Sequence, residues 1–326
     1  MAKFTVDALA AKIPSEHRGT AALALVMLGS ISLQVSTAFA SDLFQQFTPI
    51  AVTGMRMAVA AVILFLIVRP NPFALKASDW PQVLLYGLVV SLMTGSFYMA
   101  VSYIPLGIAV TVEYLGAFAI SLLGVKRVRD SFISLGALIG VALIAGPTFE
   151  SSHLIGYLFA VMSATCMGGY TFLSAHLGTK GSPAVSGLKG LSLSICFSAL
   201  LLTPWSAPSF PRVDFNGWFL LVMVGFLGVV VTYSFDAIAG RITSPAVIGV
   251  LFSLDPVNGA IIGTLLLGQV LSIWSYVGIV LIACSGALLV WQTNKSAIKI
   301  SANTAILDVV VSTRTQQLPI ISKDLK

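Results

Sequence analysis

"PLGIAVTVEYLGAFAISLLG", residues 105–124, opens on proline and continues in apolar and small residues, interrupted near its middle by one carboxylate, Glu113. At 1.5 Å of rise per residue, a helix of roughly 20 residues covers about 30 Å, the thickness of a bilayer's hydrocarbon core. The stretch therefore reads as a membrane span. An ionised side chain at such depth costs about 2.5–3.5 kcal/mol on insertion scales, so Glu113 is predicted to be hidden, paired or useful.

The remaining sequence supports the same class. The 326 residues are 57% hydrophobic and only 9% charged, with a mean hydropathy of +0.97, far from the roughly 25% charged residues of a soluble domain. A window of about 20 residues predicts ten spans, at 20–40, 49–68, 82–103, 105–125, 132–146, 154–175, 184–203, 218–238, 246–267 and 270–291. Breakers separate them: "RPNPF" after the second, "GPTF" after the fifth, "TPWSAPSFPR" after the seventh and Ser244-Pro245 before the ninth. Residues 1–19 and 292–326 are expected to be cytoplasmic ends. The first span closes on Ala38-Phe39-Ala40, a signal-cleavage pattern, but its apolar run is longer than a signal peptide's 7–15 residues and a retained helix is expected.

Charge placement predicts orientation. Of the 18 Lys and Arg residues, all but Arg56 and Arg212 fall on the side of the two termini when ten spans alternate. By the positive-inside rule both termini are predicted to be cytoplasmic. The formal charge of +6 thus lies along a membrane edge, with no basic patch interleaved with aromatics, and a nucleic-acid partner is not expected.

Several chemistries lack their residues. There is no GxxxxGK[ST] loop for phosphates. His17, His153 and His176 are scattered, and Cys166, Cys196 and Cys284 lie in apolar spans without metal-ligand spacing, so no cofactor, metal or disulfide framework is expected. No span has a histidine base at its centre, which argues against an intramembrane hydrolase.

The two halves, 20–146 and 154–291, look related. "TPIAVTGMRMAVAAVILFL" and "SPAVSGLKGLSLSICFSALL" align Arg56 with Lys189, and Pro105 and Glu113 align with Pro245 and Asp255. Five spans per half require the second copy to be inverted, an arrangement that puts transporter sites at the repeat interface. The expected fold is all-α: ten transmembrane helices in two inverted five-helix repeats. Arg56 and Glu113 lie seven and eight residues into spans running the same way, so they share a depth.

A zwitterion needs a cation for its carboxylate and an anion for its ammonium, and each half offers both. Arg56, Glu113, Asp255, Asn258 and Lys189 are the candidate substrate-binding residues, with Glu113 and Asp255 also candidates for carrying a proton. The alternatives are a structural Arg56–Glu113 ion pair and a Lys189 that snorkels to the interface. Asp236, close to Arg241, is expected at the membrane edge. Gly136-x-x-x-Gly140 and Gly259-x-x-x-Gly263 suit close helix approach, within one chain or in a homodimer.

The run Pro105-Leu106-Gly107-Ile108-Ala109-Val110 followed by Glu113, with an arginine in the second span, resembles the drug/metabolite transporter superfamily of EamA type, and within it the bacterial threonine and homoserine exporters. The resemblance covers about residues 20–291. It implies an inner-membrane efflux carrier, in contact with lipid, for small amino acids, driven by protons; efflux of lipophilic or cationic compounds and a non-transporting scaffold are the other readings. One departure stands out: such proteins often carry Gly-Glu ahead of the tenth span, where this chain has Gly268-Gln269.

Overall fold

Apolar stretches favour helices because a backbone in hydrocarbon must satisfy its own polar groups. The computed structural model describes residues 14, 17–123, 139–140, 143, 151–180, 188–242, 252, 254–285 and 287–288. Its helices are α1 (Arg18–Asp42), α2 (Pro49–Val68), α3 (Trp80–Val101), α4 (Leu106–Leu123), α5 (Ser151–Lys180), α6 (Leu188–Ser206), α7 (Phe215–Gly225), α8 (Thr232–Ile242), α9 (Asp255–Leu267) and α10 (Ile273–Ser285). A π-helical segment, Phe226–Val231, joins α7 to α8 without a break. Among the described residues there is no strand. Five helical stretches are long and apolar enough to cross a membrane, and four shorter apolar ones accompany them. This is an all-α polytopic membrane protein. The expected fifth span, the start of the ninth and both terminal segments lie largely outside the described residues.

Local chemistry explains the boundaries. Thr48 accepts a hydrogen bond from the Ala51 amide (3.3 Å) ahead of Pro49, a good first helical residue, and Arg69 ends α2 in the left-handed region at φ 49°. Asp214 caps α7 through the Gly217 amide (2.8 Å). "TPWSAPSFPR" breaks later than expected: α6 continues through Pro204 to Ser206 before a 3-10 turn, Ala207–Arg212. A proline this close to the end of a helix disturbs little of the ladder that follows. Ala38 and Ala40 are buried inside α1, within the packed bundle.

Polarity runs opposite to that of a soluble bundle. Leu66, Leu158, Leu200, Phe219, Leu265 and Ile273 point outward, while hydroxyl groups stitch helices together inside. Ser91 donates to Ser198 Oγ (2.8 Å), Ser194 to the Val83 carbonyl (3.1 Å), Ser36 to that of Val224 (2.9 Å) and Ser32 to that of Leu227 (2.9 Å). Such bonds average about 0.6 kcal/mol each in a membrane, so they set register more than they stabilise.

Contacts also give helix directions. Gly107 faces Ala260 while Leu106 faces Gly263, so α4 and α9 are antiparallel. Gly54 meets Ser206 and Leu202, and Leu64 shares a cluster with Ile195, so α2 and α6 are antiparallel too. These are the two pairs that the sequence comparison treats as counterparts. α5 runs parallel to α4, Ile104 facing Gly156 and Glu113 facing Ser163. The end of α4 and the start of α5 therefore lie at opposite faces of the bundle.

Both small-residue motifs pack within the chain where they are described. Gly140 meets Gly278 and Ile282 of α10, and Gly259 and Gly263 meet α4; Gly136 lies outside the described residues. A Cβ on Gly107 would sit 2.6 Å from Ala260 Cα, so Gly107→Val must force α4 and α9 apart. We expect a loss of about 1–3 kcal/mol, the usual scale of overpacking. It is read as a lower melting temperature of the detergent-solubilised protein. Gly95→Ala, where an added Cβ meets nothing within 4 Å, serves as the control, and an unchanged melting temperature for Gly107→Val would refute the close crossing.

Candidate substrate site

The first element of the site is a buried arginine. Arg56, the eighth residue of α2, is only 4% exposed. Its Nη1 donates to the hydroxyl of Tyr98 on α3 (2.5 Å), and its Cζ lies 4.6 Å from the centroid of that ring. Ser36 and Thr37 of α1 also bond the Tyr98 hydroxyl. Gly228, in the π-helical segment, lets that backbone come close: a Cβ there would lie 3.2 Å from Arg56 Nη1. π-helical turns recur at functional sites because they re-aim the side chains around them. Arg56 Nε is buried without a hydrogen bond.

Glu113 on α4 is buried and accepts from Ser163 Oγ of α5 (2.5 Å). Ser163 Oγ also lies 3.1 Å from the Met93 carbonyl. A serine has one hydroxyl proton and two lone pairs. It can give that proton to an ionised Glu113, or accept from a protonated Glu113 and donate to Met93. Both states of the carboxyl are thereby satisfied.

Asp255 begins α9 about halfway along the expected ninth span, with Pro256 in the first turn, where its missing N–H costs nothing. It is 2% exposed. Ser30 of α1 and Tyr114 of α4 are its hydrogen-bonding neighbours, while its Oδ1 is left without a partner. Asn258, one turn on, donates to Ser30 Oγ (2.8 Å). Glu113 lies in the electrostatic field of both Arg56 and Asp255. Gln34, one turn from Ser30 on α1, contributes another buried oxygen without a hydrogen bond, Oε1.

Four of the five candidates, Arg56, Glu113, Asp255 and Asn258, thus belong to one buried polar centre. Lys189 does not: it is exposed in the first turn of α6. Arg56 and Glu113 take different partners, Tyr98 and Ser163, and do not close on each other as an ion pair. Asp236 corrects its edge placement. It is half-buried beside Gly29, its Oδ1 3.6 Å from where a Cβ on that glycine would stand, and in the field of Asp255. Ser30 and Ser163 carry no signal in the sequence alone, because a lone serine in an apolar span says nothing of what faces it, whereas Tyr98, which the sequence allows as interfacial belt or cavity wall, is buried against Arg56.

The departure at Gly268-Gln269 has a structural meaning. Gly268 ends α9 in the left-handed region at φ 61°, and Gln269 Oε1 accepts from the Leu106 amide at the start of α4 (2.9 Å). An amide oxygen can accept this bond in place of a carboxylate, with no charge to bury. It ties the end of the Asp255 helix to the start of the Glu113 helix.

On the side of the centre where α1 ends and α2 begins, Val52, Phe97, Ile104, Leu106, Leu221 and Leu271 belong to one continuous apolar cluster. On the other side lies a separate cluster containing Met57, Leu64, Tyr86 and Ile195. The polar centre sits between them.

Residues 154–291 match the EamA-like transporter family. The threonine/homoserine exporters RhtA of Salmonella typhimurium (strain LT2) and Escherichia coli (strain K12) are 25% identical over 253 and 255 residues, covering 76% and 77% of this chain and 84% of each exporter. Solute carrier family 35 member E4 of Rattus norvegicus is 32% identical over 248 residues, 72% of this chain and 68% of its own length. One chain of known crystal structure has the same fold, with a TM-score of 0.53 at 18% identity, covering 82% of this chain and 97% of its own.

Proposed function

The chain belongs to the EamA-like drug/metabolite transporters, and from that premise we propose that it exports small amino acids, threonine and homoserine among them, by proton antiport across a bacterial inner membrane. One observation carries the reading. A buried centre holds a guanidinium with a free donor, Arg56 Nε, and a carboxylate with a free acceptor, Asp255 Oδ1. Buried polar groups are ordinarily paired, and a zwitterion would satisfy both at once. Arg56 takes the substrate carboxylate, Asp255 and Glu113 its ammonium, and Asn258 and Ser30 hold Asp255 in place. Glu113, supported by Ser163 in either protonation state, carries the proton. The two apolar clusters that flank the centre act as gates, one parting while the other stays shut.

Proteoliposomes loaded with a panel of amino acids test the reading: under an imposed pH gradient, threonine or homoserine should leave and protons should enter. Movement of lipophilic cations, with no amino acid moving, would overturn it in favour of drug efflux, and movement of nothing would favour a scaffold.

The orientation has its own test. With two inverted five-helix repeats and both termini cytoplasmic, a reporter fused after Lys326 and one inserted within residues 207–214 should report opposite sides. Finding both on one side would sink the ten-span arrangement.

A further inference from the structure

We propose that Tyr98 is a positioning residue for Arg56: its hydroxyl engages one terminal nitrogen of the guanidinium, so that the opposite edge, the one carrying Nε, is left to take the substrate carboxylate. The proposal rests on the reading of Arg56 as the group that meets that carboxylate.

A guanidinium holds five N–H donors in one plane and can offer a carboxylate either of two forks, its two terminal nitrogens or Nε together with Nη2. An untethered arginine can present both. Here Nη1 is spent on Tyr98 Oη (2.5 Å), which closes the terminal fork, and Cζ stands 4.6 Å over the centroid of the same ring, which covers one face of the plane. Nε, on the edge away from Nη1, is buried and has no hydrogen bond. The π-helical backbone leaves Nη1 little room to turn, since a Cβ on Gly228 would lie 3.2 Å from it.

Tyr98 is itself fixed. Its side chain is fully buried, and its ring meets Phe44 edge-on with centroids 5.5 Å apart and Phe97 at 6.2 Å. Ser36 and Thr37 of α1 bond its hydroxyl. Both of those side chains already give their protons to carbonyls, Ser36 to Val224 (2.9 Å) and Thr37 to Leu33 (3.0 Å). They can therefore only accept from Tyr98, which leaves a lone pair of the phenol for Arg56. Helices α1, α2 and α3 thus meet at one oxygen, and the direction of each bond around it is determined. A phenylalanine in its place would keep the ring over the guanidinium but orphan Nη1. A buried donor without a partner must turn to find one, and the Nε edge would turn with it.

Binding to the full chain in nanodiscs, measured by calorimetry, tests this without requiring transport. Tyr98→Phe should bind threonine about tenfold more weakly than the parent, on the scale of one charge-assisted hydrogen bond. Threoninamide, which keeps the ammonium and the hydroxyl but has no carboxylate, should bind both proteins within about twofold. A variant that weakens both ligands alike has merely distorted the centre, and that result would overturn the proposal. Arg56→Lys has no fork to aim, so adding Tyr98→Phe to it should cost less than about a further twofold; losses that simply multiply would overturn the proposal as well. So would a Tyr98→Phe protein that no longer melts cooperatively, because the hydroxyl would then be holding the fold. Parental threonine binding by Tyr98→Phe removes this role and leaves export untouched. The expected pattern in a parent that exports no amino acid keeps the role and removes the export reading, whereas a parent that binds no amino acid removes both.

Discussion

Arg56→Ala should give a folded, inserted protein whose amino-acid export is lower by about two orders of magnitude, corresponding to roughly 3 kcal/mol for truncating one side of a buried charge pair. Folding should survive because Tyr98, the partner left behind, still has Ser36 and Thr37 at its hydroxyl. Transport should not, because no other buried cation among the described residues can meet a substrate carboxylate. Arg56→Lys separates charge from geometry. An ammonium can keep the bond to Tyr98 or turn to the substrate, but it lacks the planar fork that serves both. We expect about a tenfold loss for the lysine variant, on the scale of one charge-assisted hydrogen bond. Flux from proteoliposomes, normalised to inserted protein, is the measurement. An Arg56→Ala protein exporting at the parental rate would exclude arginine recognition of the substrate.

Glu113→Gln should uncouple export from the proton gradient. Glutamine has nearly the shape of the protonated acid: its amide can donate to Ser163 Oγ while Ser163 donates to Met93, so the packing of α4 against α5 is retained. What disappears is the exchangeable proton. One unit of pH difference is worth 1.36 kcal/mol, or about a tenfold concentration ratio for each proton exchanged. Parental vesicles should therefore build a ratio near ten under that gradient, whereas Glu113→Gln vesicles should settle near one, with residual flux running downhill. Proton and amino-acid fluxes recorded together decide it. Undiminished coupling would reduce Glu113 to a structural acceptor and move the proton to Asp255.

How much of this was legible beforehand depends on whether a feature is local. The sequence puts the second span at 49–68 and α2 is Pro49–Val68, because a capping threonine, a proline at the first turn and a continuous apolar run mark a helix without help from elsewhere. Arg56, Glu113 and Asp255 were legible because a charge at membrane depth is conspicuous in any apolar span. Ser163 was not: its part depends on how α5 sits against α4. Lys189 aligned with Arg56 yet is exposed, since a weak repeat fixes order along the chain but not how far each helix sinks. Asp236 was misplaced for a related reason. Counting residues back from Arg241 gives a depth, whereas its direction is set by the π-helical segment upstream, and nothing in "FLGVVV" announces a change of hydrogen-bonding pattern.

That segment constrains the gene as well as the protein. Between Gly225 and Thr232 the chain holds more residues per turn than an α-helix requires. Six π-helical residues at roughly 82° each turn about as far as five α-helical ones at roughly 100°, so removing one codon there would let the ladder close as ordinary α-helix with the downstream helix facing almost the same way. Tyr233 and Asp236 would still face the interior, and what would change is the wide turn that brings Gly228 beside Ser36 and Arg56. Surface loops usually accept insertions and deletions readily. Phe226–Val231 should share that tolerance for the loss of one residue and for nothing more, because one residue is all that its turn holds in surplus.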